Sequence, residues 1–134
     1  MSSFSVSFRP HAGTGPDPGS APDGARVCVL DLAGELDAHT ATEFEAALQK
    51  CLDEGHTRLV VSGRDLQYIS SAGLGVFMAF VEPVREAGGD IKIAALQPRV
   101  FNVFDLLGFP LLFDIVDTEE AAVERFTQGP STAA

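Results

Sequence analysis

The stretch RLVVSGRDLQYISSAGLGVFMAFVEPVREAGGDIKIAAL, residues 58–96, decides the architecture of this chain. It opens on RLVVSG and closes on DIKIAAL, two apolar runs of strand length, each read as a strand buried on both faces. Between them Leu74, Phe77, Met78, Val81 and Arg85 recur at the three-to-four spacing of a helix, and Gly88-Gly89 stops it. Two buried strands bridged by a helix make a parallel pair with a right-handed crossover. An α/β fold is expected.

Working outward repeats the pattern. Upstream, RVCVLDLAG is another continuous apolar strand, and Thr40 with Glu43 three residues later reads as a capping box. Ala41, Phe44, Leu48 and Cys51 or Leu52 follow at helical spacing, and Gly55 ends that helix. FSVSFR, residues 4–9, alternates apolar and polar as an edge or antiparallel strand does. The Gly/Pro-rich stretch from 10 to 24 reads as a flexible loop between two strands. Downstream, PRVFNVFDLLG is a short helix with Pro98 in its first turn and Gly108 at its end. LFDIV reads as a last strand, DTEEAAVERF as a closing helix, and 128–134 as a disordered tail. About five strands and four helices then form a single domain over residues 1–134.

Composition narrows the function. Nine Lys and Arg against 19 Asp and Glu give a net charge of −10, which repels nucleic acid and anionic membrane and favours a locally basic protein partner. The longest apolar run, AGLGVFMAFV, is about half the roughly 20 residues needed to span a bilayer, so no membrane insertion is expected. MSSFSVSFRPH has neither a basic start nor a long apolar run, and the chain reads as cytoplasmic. Cys28 and Cys51 have no metal-ligand or CxxC spacing and read as small buried hydrophobes.

Hydrolase, zinc-protease, P-loop and dinucleotide signatures are absent, and His11, His39 and His56 are not placed to activate a serine. No catalytic residue, metal or cofactor is expected, and the protein reads as a binding module. Ser70 and Ser71 are the feature to explain. They sit where a loop leaves a buried strand and an apolar helix begins. Ser70 suits the N-cap, its oxygen accepting from an amide one turn on. Ser71 falls in the first turn, where free amides and the helix dipole would tolerate the charge of a phosphate, about −1.5 to −2. Ala72, Gly73 and Gly75 are small enough to admit a partner's backbone. Two capping serines and nothing more remains the alternative. Asp37, in GELDAHTATEF, is either a turn-forming aspartate or a partner contact on an exposed loop. In the third helix Val100, Val103, Phe104 and Leu107 make one apolar face, leaving Phe101 and Leu106 to mark a patch or complete the core.

GELDAHTATEFEAAL, LQYISSAGLGVF and REAGGDIKIAALQPRVFNVFDLLGF, in this order and spacing, resemble the STAS domains of bacterial anti-sigma factor antagonists. The likeness covers about residues 26–127, and the strand at 4–9 fits the family's first strand. It implies a small mixed sheet with helices mainly on one side. It also implies a function: the unmodified chain binds an anti-sigma factor with a serine kinase (ATPase) domain, releasing a sigma factor. Serine phosphorylation ends the binding and a serine phosphatase restores it. The family's Asp-Ser-Ser/Thr-Gly-Leu pattern falls on Ser70, Ser71, Ala72, Gly73 and Leu74, which makes Ser71 the phosphoacceptor, with Ser70 second. The implied contact surface is Asp37, Ser70, Ser71, Ala72, Gly73, Leu74, Gly75 and Phe101. Asp37 matches a family acid; Ser70 and Ser62 stand where the family often has acids or, for Ser62, Asn. The same fold also serves as a non-phosphorylated subunit of transporter ATPase complexes or sensory scaffolds, which is the alternative.

Overall fold

The computed structural model describes residues 4–10 and 27–128. The expected Gly/Pro loop beyond Pro10 and the tail beyond Gln128 lie outside the described residues. The elements are β1 (Phe4–Pro10), β2 (Val27–Leu36), α1 (Ala41–Asp53), β3 (Arg58–Ile69), α2 (Ser71–Glu86), β4 (Asp90–Ala94), α3 (Pro98–Leu106), a 3-10 turn (Phe109–Leu111), β5 (Ile115–Val116) and α4 (Glu119–Gln128). The strands lie side by side in chain order, β1 antiparallel to β2 and every later pair parallel. This is the mixed sheet expected.

Alternation along the strands builds two cores. Leu30, Leu32, Leu59, Val61, Ile91 and Ile93 face one side and bury α1, α2 and α3. Val29, Val60 and Ala94 face the other and meet Ala122 and Val123 of α4. Three helices therefore cover one face and one covers the other. The larger core centres on Phe77, whose ring meets Phe44, Phe104, Phe109 and Phe113 edge-on at centroid distances of 4.9, 5.6, 6.4 and 5.9 Å. Such pairs stabilise by about 0.5–1.5 kcal/mol each beyond their burial.

Charged groups tie the edges. Arg9 of β1 bonds both carboxylate oxygens of Asp31 and both of Glu119, joining β1 to β2 and to the start of α4. These hydrogen bonds raise the Arg9 pKa despite some desolvation. Lys92 is buried on the α4 side, its ammonium 3.0 Å from Asp90, 2.7 Å from Asp114 and 4.7 Å over the Phe126 ring. Cys51 is buried and Cys28 half-buried, both as free thiols.

Helix ends follow local chemistry. After α1, Gly55 takes φ +84°, its N–H reaching Leu52 while that of His56 reaches Cys51, so two end carbonyls of the helix are satisfied. The expected capping box is absent. Thr40 stands at the N-cap of α1, but its side chain makes no cap bond: its hydroxyl donates to the Glu35 carbonyl at 2.8 Å and accepts from the Asp37 amide at 2.9 Å. Two other expectations change. Met78 is exposed rather than part of the buried face of α2, and Leu107 lies beyond α3 as its exposed C-cap. The last strand is two residues long because the 3-10 turn at Phe109–Leu111 winds the chain before it.

Candidate functional site

The site is built where β2 and β3 end together. β3 does not give way to a loop after Gly63; it continues parallel to β2 as far as the Leu36–Ile69 pairing, absorbing two register shifts. Ser70 follows the strand directly, and its N–H donates to the Leu36 carbonyl at 2.9 Å. The turn beginning at Asp37 and the first turn of α2 are thereby held side by side at the carboxyl ends of parallel strands. In open α/β sheets this edge is the usual place for a binding site.

Ser70 has N-cap backbone angles, φ −101° and ψ 175°, and its carbonyl accepts the first helical bond from Leu74 at 3.1 Å. Its side chain departs from the expected role. The hydroxyl makes no cap bond, and Ser70 Oγ is buried without a hydrogen-bond partner among the described residues. Ser71 is the first residue of α2 and is exposed.

The small residues after it divide by helical direction. Ala72 is half-buried and Gly75 exposed, with open space where a Cβ on Gly75 would stand. Gly73 and Leu74 are buried. A Cβ on Gly73 would lie 2.7 Å from Leu36 Cγ and 3.0 Å from Ile69 Cγ1, so this glycine admits β2 and β3 side chains rather than a partner's backbone. Leu74 likewise joins the core, leaving Ser71 and Gly75 as the accessible members of the segment.

Asp37 turns out to shape its own turn. One carboxylate oxygen, Oδ1, accepts from the amides of His39 at 2.9 Å and Thr40 at 3.2 Å. Desolvation pushes its pKa up, but those two amides and the Thr40 hydroxyl outweigh it and hold the carboxyl below its ordinary value. It stays charged at neutral pH.

Beside this edge an open groove of about 420 Å³ runs between β2, β3 and α3, lined by Glu35, Gln67, Tyr68, Ile69, Arg99, Val100 and Val103. Gln97, at the N-cap of α3, ties that helix to β3, donating from Nε2 to the Arg64 carbonyl at 2.9 Å. Glu35, Tyr68 and Arg99 were missed in the sequence, and alternation could not have found Tyr68: a strict two-residue period would place it on the buried face with Leu66, whereas the register shift between Leu66 and Tyr68 turns it outward. Phe101 is half-buried and lines a different cavity with Leu96, Pro98, Ile115, Val116 and Asp117. The structure does not bring it to the groove wall formed by Val100 and Val103.

Comparison with known proteins adds to this geometry. The STAS domain family model matches residues 21–122. BtrV of Bordetella bronchiseptica is 35% identical over 100 residues, covering 75% of this chain and 86% of the relative. The anti-sigma-B factor antagonist of Bacillus subtilis is 30% identical over 95 residues, covering 71% and 86%. Among solved structures, the unphosphorylated anti-sigma factor antagonist SpoIIAA superposes with a TM-score of 0.69 at 21% identity, covering 91% of this chain and 97% of that one. Its phosphorylated form, from Bacillus, gives 0.61 at 21% identity, covering 90% and 99%. With three-quarters of its length matched by the family model and its sheet and helices in the same arrangement, the chain belongs to the STAS domain family.

Proposed function

We propose that this protein is an anti-sigma factor antagonist: unmodified, it binds an anti-sigma factor that carries a serine kinase domain, so that a sigma factor is released. Phosphorylation of Ser71 ends the binding, and a serine phosphatase restores it. The observation that carries the reading is the exposed Ser71 hydroxyl at the first turn of α2, flanked by half-buried Ala72 and exposed Gly75. A phosphate there would add about −1.5 to −2 charges and a solvation shell to a surface suited to a small hydroxyl. Abolishing a hundredfold affinity takes only about 2.7 kcal/mol. Burial of the Ser70 hydroxyl favours Ser71 as the acceptor. The partner surface comprises Ser71, Ala72 and Gly75, with the Asp37 turn beside them. Among the described residues no helix is long and apolar enough to cross a membrane.

The test is to incubate the protein with ATP and an anti-sigma kinase encoded in the same genome, then map the modification by mass spectrometry. A complex that dissolves as Ser71 gains phosphate supports the reading; no complex and no phosphate on Ser71 or Ser70 would sink it. Ser70, in place of an acid that could position the kinase's metal-nucleotide, is the observation favouring a non-phosphorylated transporter or scaffold subunit. That alternative gains support if a transporter ATPase gene adjoins this one and no kinase gene does.

A further inference from the structure

Seven large hydrophobic side chains are exposed among the described residues, and four of them lie in one stretch: Leu106 at 84%, Leu107 at 59%, Leu111 at 89% and Leu112 at 44%. Concentration of this kind marks an interaction patch, whereas single exposed leucines are ordinary. The patch begins at the end of α3 and crosses the 3-10 turn, at the opposite end of α2 from Ser71. Arg85 connects the two elements, its guanidinium donating to the Leu112 carbonyl and lying 5.8 Å over the Phe113 ring. Met78, 45% exposed, and Glu82 share the solvent stripe of α2 with Arg85 at four- and three-residue spacing.

Among the charges of this surface, those without an ion pair are acidic. Glu82, Glu86 and Asp105 are exposed and form no ion pair among the described residues, while the Arg85 guanidinium is already held by Asp90 at 2.8 Å. We infer that this surface docks an amphipathic helix of a partner protein, one whose leucine-like stripe is flanked by lysines or arginines. A second copy of this chain fits poorly, because a two-fold contact would set the same acidic rim against itself. An anionic lipid surface fits poorly for the same reason. From Ser71 to Arg85 is 14 residues of helix, about 21 Å. That exceeds two Debye lengths of about 8 Å at physiological salt, so a charge placed at Ser71 is screened from the patch. The docking surface is available in both states of the Ser71 switch, and it does not depend on that switch existing.

The probe is a synthetic leucine–lysine helix of about 18 residues, five turns, with leucines at three-to-four spacing. Its control carries glutamate at every lysine. Titration into the 15N-labelled protein should shift the amides of Leu106, Leu107, Leu111 and Leu112 together. Leu106→Ser/Leu111→Ser should bind roughly tenfold more weakly, the glutamate peptide likewise, and Ser71→Asp as the wild type. Both leucines are exposed, so the double variant keeps the fold, which its amide spectrum verifies. Equal binding by that variant overturns the inference, showing only attraction of a cationic peptide to an acidic protein. So does a dimer in sedimentation velocity that the leucine substitutions abolish, or binding to anionic phospholipid vesicles that they abolish.

Discussion

Gly73 lies against Leu36 so closely that a methyl group on Gly73 would stand 2.7 Å from Leu36 Cγ. The start of α2 is therefore seated directly on the end of β2. Gly73→Ala should destabilise the fold by about 1–3 kcal/mol, the usual cost of overpacking a close-packed site. Chemical denaturation measures it; an unchanged midpoint would show that α2 is not seated this tightly.

Gly75 should behave oppositely. Open space surrounds its missing Cβ, and a glycine within a helix costs about 0.5–1 kcal/mol relative to alanine. Gly75→Ala should raise stability by that amount while weakening binding to the anti-sigma partner, because the added methyl projects from the contact surface. Stability and affinity measured on one variant separate fold from function; affinity that rises with stability contradicts the placement of Gly75 in the interface.

Ser70→Ala distinguishes a capping serine from an orphaned one. Loss of a true N-cap costs about 1 kcal/mol. Since the Ser70 hydroxyl is buried and has no hydrogen-bond partner among the described residues, its removal should change stability by less than about 0.5 kcal/mol or raise it. A loss of 1 kcal/mol or more in thermal or chemical unfolding would restore the capping role.

Lys92 and Asp114 predict how the fold responds to acid. The hydrogen bond from Lys92 is the main cause holding the Asp114 pKa below its ordinary value, with burial opposing. A depressed folded-state pKa gives stability that is present above the unfolded carboxyl value, about 3.9, and lost as pH falls through the folded value. Lys92→Met should cost about 1 kcal/mol at neutral pH, a figure reduced for the partial exposure of Asp114. The cost should shrink below pH 4; a deficit constant from pH 7 to 2 would assign it to packing alone.

The thiols should react in order. Cys51, hydrogen-bonded to Cys28 and buried, has its pKa pushed up, while accepting that bond lowers the pKa of half-buried Cys28. Iodoacetamide should therefore alkylate Cys28 in the native protein and Cys51 only on unfolding, as peptide mass mapping would show. Equal native labelling contradicts this packing.

What was legible in the sequence was whatever rests on period. Val29 against Leu30 and Val60 against Leu59 and Val61 state two covered sheet faces in the order of residues alone, and Phe44, Phe77 and Phe104 fall at helical spacing. The second half of β3 was hidden because exposed Arg64 and Asp65 stand consecutively, breaking alternation where the strand takes its register shifts against β2. The hydroxyls of Thr40 and Ser70 were misjudged for another reason. Local patterns name an oxygen near a helix start, but whether it caps depends on what the neighbouring strand presents. For Thr40 that is the Glu35 carbonyl; Ser70 Oγ is enclosed with no donor. Ser71 was legible, since position alone places it in the first exposed turn. The groove lined by Glu35, Tyr68 and Arg99 was not, because three separate elements assemble it.

The measurement that bears most directly on the central claim is the affinity of the cognate anti-sigma kinase for the wild type, Ser71→Ala and Ser71→Asp, by isothermal titration calorimetry. Ser71→Ala should bind like the wild type, and Ser71→Asp roughly a hundredfold more weakly. Equal affinities for the three proteins would contradict a switch at Ser71.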